Sequence, residues 1–78
     1  MDDTHARTEV RRAEESIARS RAMIEIYTEF VDEFSETDPD VSRYYLDMLR
    51  FERGREAYFL ERLPGLVAEL QHHEHETR

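Results

Sequence analysis

The chain has no cysteine. Disulfides and thiolate metal sites are therefore excluded as staples. It has no lysine either: all 11 basic residues are arginine, set against 19 acidic ones, for a net charge of -8. A balance so short of positive charge argues against nucleic acid, where binding depends on neutralising phosphates. It argues equally against an anionic membrane surface. The acidity suits cations or a basic protein partner, beside its plain effect on solubility. No apolar run approaches the ~20 residues that span a bilayer. The opening stretch MDDTHARTEV lacks the hydrophobic core of a secretory signal, so the expected location is cytoplasmic, or inside some compartment. No phosphate loop, dinucleotide motif or nucleophile–base constellation is present, and Ser16, Ser20, Ser35 and Ser42 have no histidine partner.

What is present is helical periodicity. Glycine and proline are absent from residues 4–35, and Asp3 or Thr4 can cap a helix there. Val10, Ala13, Ile17, Ser20, Ile24, Tyr27, Val31 and Phe34 alternate three and four apart, a seam of the coiled-coil kind. Met23, Ile26 and Phe30 widen it. A turn is expected over 35–38. Asp38 can cap a second helix and Pro39 suits its first position, because the missing N–H costs nothing there. That helix is expected over 39–63, with Val41, Tyr45, Met48, Leu49, Phe59 and Leu63 on its main face. Tyr44, Phe51 and Tyr58 recur every seven residues beside that face. Leu63-Pro64-Gly65 predicts a break, then a short helix over 65–73 with Leu66, Val67 and Leu70, and a frayed tail over 74–78.

The expected fold is all-α: a long antiparallel two-helix hairpin with a short C-terminal helix. At 78 residues the chain is one small domain and marginal alone. Its apolar arc is wider than one helix can cover. Two hairpins would complete a four-helix bundle, so a homo-oligomer is expected.

One stretch breaks the pattern. In FERGREAYF, residues 51–59, the helical angle places Glu52 near the middle of the apolar arc. Glu56 falls to one side and Arg55 to the other. A buried carboxylate must be paired, protonated or metal-bound. Two readings stand: a Glu52–Arg55 ion pair that fixes register, or a carboxylate site for a hard cation. The first helix offers a stripe of Ala18, Ala22, Ile26, Glu29 and Glu33, from which Glu29 can meet Glu52 across an interface. Gly54 falls opposite Glu52, on the solvent side. In the tail, His75 and Glu76 each lie one turn from His72 and suggest a transition metal, against a plain polar tail.

The run EESIARSRAMIEIYTE (14–29), then TDPDV (37–41), Glu52-x-x-Arg55 and LERL (60–63), resembles the encapsulated ferritin-like proteins over roughly residues 12–70. These are helical hairpins carried as cargo inside encapsulin shells. The resemblance implies a ferritin-like oligomer, a dimer or a ring of dimers. It also implies an intersubunit di-iron site with ferroxidase activity, Fe(II) to Fe(III), in an encapsulin compartment. The first-helix ligand falls on Glu29 and the second-helix ligand on Glu52. The family's ligand histidine falls on Arg55, which cannot ligate a metal. The site is then either all-carboxylate, with Glu56 in place of the histidine, or filled by Arg55 with no iron, leaving a non-enzymatic interaction module. The family's apolar targeting tail has no counterpart after residue 70.

Overall fold

The computed structural model describes residues 3–76, with the side chains of 4–74. It contains two helices, α1 (Asp3–Phe34) and α2 (Pro39–Glu76), and the described residues include no strand. Asp38 makes the turn. Its backbone N–H donates to the Phe34 carbonyl at 2.9 Å, which closes α1. Its Oδ1 accepts from the Val41 N–H at 3.3 Å and its carbonyl from the Ser42 N–H at 3.0 Å, which opens α2. This is the expected cap, with Pro39 at the first helical position. Ser42 Oγ also donates to the Val31 carbonyl at 3.0 Å and ties the two helix ends together.

The helices pack antiparallel along their whole length into a rod of 61 × 14 × 13 Å. Its radius of gyration, 17.5 Å, compares with roughly 11.5 Å for a compact chain this long. A single layer of two helices can bury only one stripe of each. The buried stripe of α1 is the expected seam at Val10, Ala13, Ile17 and Ser20, extended by Ala6 toward the open end. Toward the turn the packing becomes aromatic. Tyr45 stacks on Tyr27 with centroids 5.9 Å apart and meets Phe30 at 4.8 Å and Phe34 at 6.2 Å.

The expected break at Pro64 does not occur. Helix α2 runs through Pro64 and Gly65 to Glu76, so there is no separate helix over 65–73, and residues 74–76 are helical. Proline removes one backbone hydrogen bond and crowds the carbonyl four residues earlier, here that of Leu60. Leu60 and Pro64 both lie on the exposed side, where water can take that carbonyl. Phe59, Leu63, Leu66, Val67 and Leu70 meanwhile keep one helical register across the proline, all half-buried against α1. That continuous contact holds the helix together. Residues 77 and 78 of the expected tail lie outside the described residues.

Candidate functional site

Midway along the rod the seam turns polar. Glu52 is 7% exposed and Ser20 0%, beside Leu49 at 4% and Ile17 at 6%. In a two-helix hairpin only the opposite helix can hide a side chain, so both residues point across the seam. The Tyr27–Tyr45 stack lies toward the turn from them, and the Arg21–Glu56 bond joins the residue after Ser20 to the residue one turn beyond Glu52. These contacts place Ser20 and Glu52 within about one helical turn of each other. Neither Ser20 Oγ nor Glu52 Oε2 has a hydrogen-bond partner. An unpartnered buried polar group costs about 1–3 kcal/mol, and a bare carboxylate more. The arrangement calls for a water, cation or counter-ion at Glu52.

Arg55, one turn further on, is half-buried. Among the described residues it forms no ion pair, so the expected Glu52–Arg55 bond is not made within one chain. The bonded pair is Arg21–Glu56, at 2.8 Å from Nε to Oε2. The two helices thus hold Glu56 as a strut. Sequence spacing alone did not single out this pair, although Arg21 follows Ser20 and so stands at the seam's edge.

Glu29 is exposed and makes no ion pair among the described residues. Within one chain it is not brought to Glu52. Among the described residues no three histidine, aspartate or glutamate side chains are placed to hold a metal ion. A metal centre at Glu29 and Glu52 therefore needs donors from a second chain. In the tail, His73 Nε2 lies 4.0 Å from Glu69 Oε1, and its ring is 6.2 Å from that of His72. The side chains of His75 and Glu76 lie outside the described residues.

The two flanks of the rod differ. One is pinned by Arg21–Glu56 and holds a shallow groove of about 260 Å³ lined by Glu14, Ile17, Ala18, Arg21, Leu60 and Leu63. The other carries the heptad-spaced aromatics of α2: Tyr44 is 60% exposed, Phe51 61% and Tyr58 53%. On α1, Ile26 lies on the opposite side of Ser20 from Arg21 and so joins that aromatic flank, at 41% exposed. Arg62 stacks its guanidinium over the Tyr58 ring at 5.5 Å. Gly54 is exposed, with nothing within 4 Å of where a Cβ would stand, as expected for the solvent side.

No helix among the described residues is long and apolar enough to cross a membrane. Comparison with protein-family models, curated proteins and solved structures found no match for this chain.

Proposed function

We propose that this chain is an assembling half-bundle, a helical hairpin that works by packing against further copies of itself. The observation that carries this reading is the aromatic flank. Tyr44, Phe51 and Tyr58 lie in a line, each more than half exposed, on a rod whose own core is a single stripe. Aromatic side chains bury 150–250 Å² each when covered, so this row is a substantial drive to association. A second hairpin laid on that flank completes a four-helix bundle. Sedimentation velocity tests it: the wild type is expected to run as an oligomer at tens of micromolar, and Phe51→Ser as a monomer. A wild-type chain that stays monomeric to about 1 mM sinks the reading.

A second reading is favoured by the unpartnered Glu52 Oε2. It is the ferritin-like one, in which ferrous iron is the substrate, bound between copies by Glu29 and Glu52 with Glu56 as a further donor. Oxidation of that iron and carriage inside an encapsulin shell belong to the same proposal. Glu56 would have to leave Arg21, and Arg55 turn aside. Anaerobic loading with ferrous iron, followed by size separation, decides the matter. About one iron per chain, confined to the oligomer and lost in Glu52→Ala, supports the site. An intact oligomer without iron rules it out.

A further inference from the structure

We infer that the second copy lies antiparallel on the aromatic flank, related by a two-fold axis that passes beside Phe51 of α2 and Ile26 of α1. This rests on the self-assembly reading above and specifies its geometry. Arg21 precedes Ile26 by five residues and Glu56 follows Phe51 by five, so the 2.8 Å Arg21–Glu56 bond, with the Tyr27–Tyr45 stack, puts Ile26 and Phe51 within about one helical turn of the same level of the antiparallel rod.

About that level the flank is a palindrome in shape and an inversion in charge. Tyr44 and Tyr58 each lie 7 residues from Phe51. Asp47 and Arg55 each lie 4 away, and Asp40 and Arg62 each lie 11 away. On α1, Glu33 and Arg19 each lie 7 from Ile26. The turn half of this flank carries acids alone, and the open half carries the arginines together with Glu15 and Glu69. A two-fold axis through the middle lays each arginine over an acid of the other copy: Arg55 on Asp47, Arg62 on Asp40, Arg19 on Glu33. It also lays Tyr44 on Tyr58 and Phe51 on Phe51.

Parallel stacking on the same flank keeps levels aligned. It would set arginine over arginine and acid over acid, and each chain already carries a charge of -8. Among the described residues Arg19, Arg55, Arg62, Glu33 and Asp40 make no ion pair within the chain. Asp47 makes only an exposed 3.9 Å contact with Arg50. Apart from the stack of Arg62 on Tyr58, the groups that the axis brings together are therefore available to one another.

The absence of cysteine makes the test clean, since each introduced thiol is unique. Ile26→Cys, near the axis, is expected to form a disulfide-linked dimer with itself under mild oxidation. Tyr44→Cys is expected to link when mixed with Tyr58→Cys, at least ten-fold faster than either alone. Tyr44→Cys linking to itself as fast as in the mixture would overturn the antiparallel arrangement while leaving self-assembly standing. No link in any variant, with the wild type monomeric, would sink both. Charge exchange adds a second readout. Arg62→Asp is expected to weaken the dimer roughly ten-fold, because the axis repeats each pair twice, and Asp40→Arg in the same chain to restore it. A double variant as weak as Arg62→Asp would contradict the pairing.

Discussion

The two faces of α2 have exchanged their usual contents. The inner face, which packs on α1, hides a carboxylate at Glu52, 7% exposed and with one oxygen unpartnered. The outer face leaves Phe51, its neighbour in sequence, 61% exposed. A hairpin built only for its own stability would place leucine at 52 and a polar residue at 51. The difference teaches that the two faces answer to different demands. The inner stripe gives up stability at one point, and the outer stripe holds apolar area in reserve for a further layer.

Substitutions can break this contrast. The largest effect is expected on the outer face. Phe51→Ser removes about 1.5–3 kcal/mol of burial from each copy of a symmetric dimer, hence more than a hundred-fold in association, with the helical signal of the hairpin retained. Sedimentation beside circular dichroism reads both. Arg55→Ala comes next. If the assembly buries Arg55 against an acid, the oligomer loses about 3–5 kcal/mol, measured as a shift in concentration-dependent melting. An oligomer as stable as wild type would count against a buried pair there.

The inner face is tested by Glu52→Leu. Replacing an unpartnered buried carboxylate with an apolar side chain is expected to raise hairpin stability by about 1–3 kcal/mol in urea unfolding. A loss of stability would instead mean that Glu52 has a counter-ion in the assembled protein. The smallest effect is expected on the solvent side, where Gly54→Ala adds a methyl that meets nothing. It should stabilise by about 1 kcal/mol and leave association unchanged.

Much of this was legible in the residues. The seam from Val10 to Ile17, the Asp38 cap, the inward Glu52 and the place of the Tyr44–Phe51–Tyr58 row beside the main face all follow from a 100° step per residue and simple polarity, whereas the exposure of that row did not. Pro64 was misread because a local rule was set against a longer-range one. The missing hydrogen bond is felt within one turn, while the apolar register from Phe59 to Leu70 spans three. The Arg21–Glu56 strut and the unpaired Arg55 were not legible, since spacing gives an angle around one helix but not its rotation against the other. With Glu52 and Arg55 one turn apart, the sequence alone made their pairing the natural expectation. The structure instead turns Glu52 into the seam and leaves Arg55 beside the aromatic row.

The central claim is that the outer row of α2 is covered by another copy of the chain. Hydroxyl-radical footprinting across a concentration series tests it most directly. Tyr44, Phe51 and Tyr58 should be oxidised readily in dilute protein and become protected together as concentration rises, while Leu60 on the opposite flank changes little. Equal oxidation of the three aromatics at every concentration, in protein that remains helical, would contradict the account.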